Sequence, residues 1–423
     1  MCFAAVHRSF RGCAQNVTVP STLPDGDPQP PDGALPPGVL ASVGSRPFSV
    51  YIHVPYCATR CGYCDFNTYT ASELGSGASQ ASYARDAIAE LKLAQAVLGD
   101  VDLPVQTVFF GGGTPTLLPV ADLAAMLTAV HDIFGLARDA EVTTEANPES
   151  VDARSLGALR EAGFTRVSLG MQSVRPHVLA VLDRVHTPGA SAARVAEART
   201  AGFEHVSLDL IYGTPGESDD DWRASLDAAI AAEPDHISAY SLIVEDGTRL
   251  AGRVARGELP RPNDDVLADR YLIADEVLAA AGFGWYEVSN WAKPGGACRH
   301  NLAYWRSFDW WGVGPGAHSH VGGVRWWNVK HPTAYTARVS AGVSPGYARE
   351  CLDASTRRVE RVLLQLRLAE GLDVAELDDP GRAAALAEVA AGLLDPFAFE
   401  QGRAVLTREG RLLADGVVRR LLG

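Results

Sequence analysis

Cys57, Cys61 and Cys64 stand in a C-x3-C-x2-C array within YIHVPYCATRCGYCDFN, residues 51–67, directly after the short apolar run SVYIHV. Thiolates this closely spaced in a glycine-containing loop can converge on one metal centre, and iron–sulfur clusters and zinc are the usual occupants. A finger-like zinc site needs a fourth ligand at short spacing, yet the next histidine after Cys64 is His131. A four-iron cubane ordinarily takes four protein thiolates. With three, one iron stays open to a small molecule, which is a site shaped for chemistry.

Such a centre needs a scaffold. Strand-like segments at 49–54, 107–110, 141–145, 166–171, 205–211 and 236–240 alternate with amphipathic stretches such as 83–98, 120–134 and 221–232. Six βα units in this rhythm predict an α/β fold, an open (β/α)6 partial barrel. Parallel barrels bind ligands at the C-terminal ends of their strands, and the unusual residues fall there. Gly111-Gly112-Gly113-Thr114-Pro115-Thr116 follows the second strand, where glycines permit close backbone approach and leave N–H groups free. Glu145-Ala-Asn147-Pro148 ends the third strand, Gly170-Met-Gln172-Ser173 the fourth, and DLIYGTPG from Asp209 to Gly216 the fifth. A strand-end carboxylate can accept from hydroxyls or an ammonium, Gln172 can donate and accept, and Arg184 in LDRVH can pair with a carboxylate. Equally, strand-end Asp and Glu often cap the next helix.

A second notable segment lies further on. Seven of the eight tryptophans fall between Trp285 and Trp327, around Arg299-His300-Asn301-Leu302-Ala303-Tyr304-Trp305. Clustered large rings can line a flat apolar pocket, and histidine is a common ligand to haem iron. His300 leads as axial ligand, with Cys298 a competitor two residues away. The same composition also describes a core with one hydrogen-bonded imidazole.

With Tyr63 just before the last cysteine, the array resembles that of the radical S-adenosylmethionine (SAM) superfamily. GGGTPT, EANP, GMQS, DLIYGTPGE and HNLAYW followed by GVGPGAHS resemble its oxygen-independent coproporphyrinogen III oxidase-like branch, from about Tyr51 to the C-terminus. The resemblance implies a partial TIM-like radical SAM barrel with a smaller, winged-helix-like C-terminal domain. It implies a [4Fe-4S] cluster on Cys57, Cys61 and Cys64, with SAM chelating the open iron and one electron cleaving its sulfonium. It assigns cofactor contacts to Tyr51, Tyr63, Gly112, Gly113, Thr114, Glu145, Gln172, Arg184 and Asp209. Within the branch, H-N-x-x-Y-W is associated with haem chaperones, which implies haem held by His300, Asn301, Tyr304 and Trp305 and passed to an apo-haemoprotein acceptor. The oxidases carry a further cysteine two places after the third. Phe66 stands there, which counts against porphyrinogen decarboxylation, the competing reading. Peripheral membrane association through the acceptor and a homodimer are left open.

The whole chain is consistent with these readings. Its 423 residues are 47% hydrophobic, and 37 Lys+Arg against 51 Asp+Glu give a net charge of −14, poorly suited to gripping nucleic acid. No apolar run approaches the roughly 18 residues of a membrane span. Clustered cysteines in place of a disulfide framework point to a reducing, cytoplasmic setting. Residues 1–45 read as a disordered, proline-rich leader, with translation expected to begin near Val19. The barrel is expected over 46–285, the aromatic segment over 286–350 and a helical domain over 351–423.

Overall fold

The computed structural model describes residues 26–74, 80–184, 187 and 189–423. Its centre is six parallel strands: β1 (Phe48–Val54), β2 (Val105–Gly112), β3 (Leu136–Ala146), β4 (Arg166–Gln172), β5 (His205–Tyr212) and β6 (His236–Ser241), paired in that order. Helices α1 (Gln80–Leu98), α2 (Val120–Phe134), α3 (Ala153–Glu161), α4 (Ala190–Ala201) and α5 (Asp219–Ala231) lie in the connections. Capping boxes at Asp152 and Ser218 start α3 and α5, each satisfying N–H groups that have no partner within the helix.

The strands alternate although both their faces are covered. Val50, Ile52, Val108, Phe110, Val142, Val167, Leu169, Val206, Leu208 and Ile237 belong to the main apolar core. The alternate residues run Ser49, Tyr51, His53; Thr107, Phe109; Glu141, Thr143, Glu145; Arg166, Ser168; Ser207, Asp209; His236, Ser238. Branched apolar residues dominate a closed TIM barrel interior. Here the alternate positions carry polar and aromatic side chains instead.

Further strands widen the sheet. The antiparallel pair β7 (Gly284–Glu287) and β8 (Asn290–Ala292) joins β6, and β9 (Asp309–Val313) runs parallel to β1. Beyond it come β10 (His318–Val321), β11 (Val324–Asn328) and β12 (Gly346–Cys351), all antiparallel. Residues 26–45 differ from the disordered leader expected. Asp27–Pro28 pairs with β12, Leu35 is buried, and Pro37–Leu40 forms a helical turn. A sheet edge accepts proline, which lacks the N–H that an inner strand would need. The expected start near Val19 lies outside the described residues.

From Ala354 on, helices including Ala354–Gln365, Asp379–Ala390 and Ala414–Leu422, with a two-stranded ladder, enclose a separate core around Val362, Leu366, Leu372, Leu394 and Val417. Arg411 docks this domain on the barrel, 2.9 Å from the Asp275 carboxylate and 4.3 Å over the Trp285 ring. Among the described residues, no helix is long and apolar enough to cross a membrane.

Candidate metal centre and barrel mouth

β1 feeds directly into the cysteine loop. The loop's base is closed by Cys57 N–H to Tyr69 O (3.0 Å) and Tyr69 N–H to Pro55 O (2.7 Å). Its tip is held by Gly62, which donates to Leu182 O (3.1 Å) and accepts from Leu250 N–H (2.8 Å). A Cβ on Gly62 would lie 2.4 Å from Asp183 Oδ2, so glycine lets the Asp183 carboxylate sit against the loop. Tyr63 packs in the apolar cluster of Val178, Leu182, Ile211, Leu242 and Leu250, supporting the loop from behind.

The three thiols are free and partly exposed. Burial pushes the Cys64 thiol up to about 12 and raises that of Cys57, an effect the Thr68 hydroxyl partly offsets. Thiols so placed need a cation to become thiolates. Arg184 Nη1 donates to Cys61 Sγ at 3.3 Å, as suits a thiolate-bound centre of negative charge. Among the described residues, no three His, Cys, Asp or Glu side chains are gathered for a single metal ion. A cubane places each thiolate on a different iron, so its ligands stand farther apart than those of a lone ion. Three cysteines on one short loop, with the Arg184 guanidinium on the Cys61 sulfur, are the donor chemistry of a three-cysteine cluster.

The barrel mouth opens beside this loop. Glu145 Oε2 accepts from Gly112 N–H at 3.0 Å, and Asp209 Oδ2 accepts from Ser168 Oγ at 3.0 Å. Burial first, then the neighbouring Asp209, lifts the Glu145 carboxyl to about 7, and burial raises Asp209 as well. Burial holds both carboxyls toward the neutral form, and a ligand bringing positive charge would favour the charged one. Arg184 Nε donates to Gln172 Oε1 at 3.0 Å. Gln172 ends β4 at a bulge with φ 56°, a left-handed conformation in which non-glycine residues are strained. Gly170 makes room for both side chains, since a Cβ there would lie 2.8 Å from Gln172 Nε2 and 2.9 Å from Arg184 Nη2.

The glycine run differs from expectation. Its N–H groups are not free: Gly112 donates to Glu145, Gly113 to Val54 O (2.8 Å), and Thr114 to Tyr56 O (2.7 Å). Close approach is the reason for glycine here. A Cβ on Gly113 would stand 2.4 Å from Tyr56 O and 2.8 Å from its carbonyl carbon, backbone that cannot step aside. Gly113→Ala is expected to cost about 1–3 kcal/mol from this overlap and to impair cluster retention, both measurable by urea unfolding and iron content.

The structure thus gathers Cys57, Cys61, Cys64, Tyr51, Gly112, Gly113, Thr114, Glu145, Gln172, Arg184 and Asp209 at one end. Of the haem candidates, His300 comes near this set, its ring 6.4 Å from that of Tyr51. His300, Asn301, Tyr304 and Trp305 share helix Arg299–Trp305, whose His300 meets Thr107 near the start of β2, five residues or roughly 16 Å along the strand from Gly112. His300 is 1% exposed, with Nδ1 2.7 Å from Thr107 Oγ1, Nε2 2.9 Å from the Tyr304 hydroxyl, and its ring stacked 5.1 Å from Phe109. Burial pulls this imidazole down to about 3, so it is neutral. In place of the expected flat aromatic pocket, Trp291, Trp311 and Trp326 pack in the main core and Trp305 in that of the C-terminal domain, while Trp327 is also buried.

Four residues escaped sequence reasoning. Glu141 receives Arg166 Nε (3.0 Å) and the N–H groups of Arg299 (3.2 Å) and His300 (3.0 Å). Glu90, on the buried face of α1, receives Gly314 N–H, the Tyr335 hydroxyl and Asn328 Nδ2 at 2.6–2.8 Å. His53 and Asn67 join β1 to the cysteine loop. A charged residue at an inward or apolar-face position is the signal that could have exposed Glu141 and Glu90.

Comparison with known proteins agrees with this fold. The model of the radical SAM superfamily matches residues 51–229. The chain is 57% identical to the heme chaperone HemW of Mycobacterium tuberculosis over 385 residues, covering 91% of this chain and 97% of that protein. It is 36% identical to the heme chaperone HemW of Synechocystis, covering 78% and 80%. Among solved structures, the coproporphyrinogen III oxidase HemN of Escherichia coli, described as a radical SAM enzyme, superposes with a TM-score of 0.76 over 92% of this chain and 94% of that one, at 21% identity. That likeness establishes the partial-barrel fold. The chain belongs to the radical SAM superfamily and, within it, to the family of the heme chaperone HemW.

Proposed function

We propose that this chain binds haem and passes it to an acceptor protein, while carrying a [4Fe-4S] cluster with SAM at its open iron. The observation that carries the reading is 57% identity across nearly the full length of a protein named a heme chaperone. Cys57, Cys61 and Cys64 would hold the cluster, which when bound supplies an open iron and an electron to the SAM sulfonium. The chain's own groups do the seating. Arg184 steadies the Cys61 sulfur and Gln172 together, Glu145 and Asp209 accept from cationic or hydroxyl groups, and the glycine run lets β2 close against the loop. Coproporphyrinogen oxidation is the competing reading, and Phe66 offers no thiol where the oxidases carry one.

The contacts of His300 weigh against it as the ligand to haem iron. It would have to release the Tyr304 hydroxyl, and its helix would have to leave Glu141. Hemin titration of wild type against His300→Ala tests this. The expected result is a Soret band and affinity equal within about threefold, below the 1.4 kcal/mol of a tenfold change. The same substitution should cost about 1–3 kcal/mol of stability, because the Thr107 and Tyr304 hydroxyls lose a buried partner. A lost Soret complex in folded protein would instead make His300 the ligand.

A further inference from the structure

We propose that Asn67 is a positioning residue for the SAM end of the barrel, acting through His53 to hold Tyr51 as a hydrogen-bond acceptor toward the ligand. The inference rests on SAM binding at the barrel mouth and goes beyond it, since neither Asn67 nor His53 is among the residues the family motifs single out.

Asn67 closes the cysteine loop three residues after Cys64. Its Nδ2 donates to Pro315 O at 2.9 Å and to Lys330 O at 2.8 Å, and its Oδ1 accepts from the Tyr69 hydroxyl at 3.1 Å. Gly316 lies against it, where a Cβ would stand 2.5 Å from Nδ2. The side chain is thereby clamped to two segments far along the chain, and its main-chain carbonyl is fixed in place. That carbonyl lies 2.9 Å from His53 Nε2.

A carbonyl oxygen can only accept. His53 must therefore carry its proton on Nε2, because a bare Nε2 would set lone pair against lone pair. The buried ring is neutral, its pKa pulled down to about 4 by desolvation, so Nδ1 is unprotonated. Nδ1 stands 2.9 Å from the Tyr51 hydroxyl, which must then be the donor. A phenol has one hydrogen. With that hydrogen committed to His53, Tyr51 presents only lone pairs to anything else at the barrel mouth. It joins Glu145 and Asp209, the acceptor groups there, toward a ligand that brings positive charge or donors. Gly112 leaves the space for the relay, since a Cβ there would lie 2.6 Å from the His53 ring.

The test uses the full chain, reconstituted anaerobically, with SAM affinity by equilibrium dialysis and the SAM-induced change in the electron paramagnetic resonance spectrum of the reduced cluster. Asn67→Ala is expected to keep its iron content while SAM affinity falls about tenfold, the scale of one hydrogen bond. Tyr51→Phe should fall by a similar factor, and the double variant no further, because residues acting through one contact are not additive. If Asn67→Ala sheds its cluster, His53→Leu decides by the same comparison with Tyr51→Phe. Unchanged affinity, or losses that multiply in the double variant, would overturn the proposal. A wild-type chain that holds a cluster but binds no SAM would instead overturn the SAM reading beneath it.

Discussion

Cys61→Ala, reconstituted without oxygen, should hold close to no cluster iron or sulfide and should show no spectral response to SAM. The loop offers three thiols, and the described residues place no fourth cysteine beside them. Losing one leaves two ligands for a centre that needs three. Cys61 is also the sulfur that Arg184 reaches, at 3.3 Å, so its loss frees a guanidinium that otherwise bridges the loop to Gln172. The matching controls are Cys298→Ala and Cys351→Ala. Cys298 is buried against Glu141 at 3.5 Å and Cys351 is exposed at the end of β12. Both variants should retain iron at the wild-type level, as measured by iron and sulfide analysis. Full iron in Cys61→Ala, or its loss in either control, would remove the loop as the metal centre.

The second large effect is expected far from that loop. Glu141→Ala should destabilise the chain by about 3–5 kcal/mol, the cost of leaving one member of a buried ion pair alone. Arg166 is 1% exposed, and besides Glu141 it donates to Ser207 Oγ at 3.1 Å and to the carbonyls of Gly296 and Ala297. The same carboxylate accepts the first N–H groups of the helix bearing His300 and Tyr304. One substitution therefore strands a guanidinium and uncaps the HNLAYW helix together. Urea unfolding of the metal-free chain checks the figure. Glu141→Leu with Arg166→Met should be milder than Glu141→Ala, because no unpaired charge remains. A single-variant loss below about 1 kcal/mol would show that water reaches Arg166 and that the barrel floor is not closed.

Much of the site could be read from residue order, for a physical reason. The cysteine array, the glycine run and the strand-end Glu145, Gln172 and Asp209 act locally, at the ends of strands whose period and length are visible in the chain. The strands themselves proved longer than the apolar pattern indicated, by four residues for β2, expected over 107–110 and found over Val105–Gly112, and by six for β3, expected over 141–145 and found over Leu136–Ala146. Main-chain pairing extends past the last apolar side chain. What escaped reading depends on partners far along the chain. Glu141 meets His300, and Asn67 meets Lys330, only once the sheet has curled and its added strands are laid down. The tryptophans illustrate the same limit. Composition could not distinguish rings that line a pocket from rings that fill a core, since both bury similar area. Residues 26–45 misled in the opposite direction, because a sheet edge gave Asp27–Pro28 a place.

The haem reading stands or falls on transfer. Reconstituted chain, loaded with one equivalent of hemin and freed of excess, should be mixed without oxygen with an apo-haemoprotein, with coproporphyrinogen III and SAM in a parallel sample. The account predicts that the Soret spectrum of the acceptor appears while that of the loaded chain declines, and that coproporphyrinogen III is left unchanged. Haem that stays on the chain while coproporphyrinogen III loses its propionate carboxyls would contradict it.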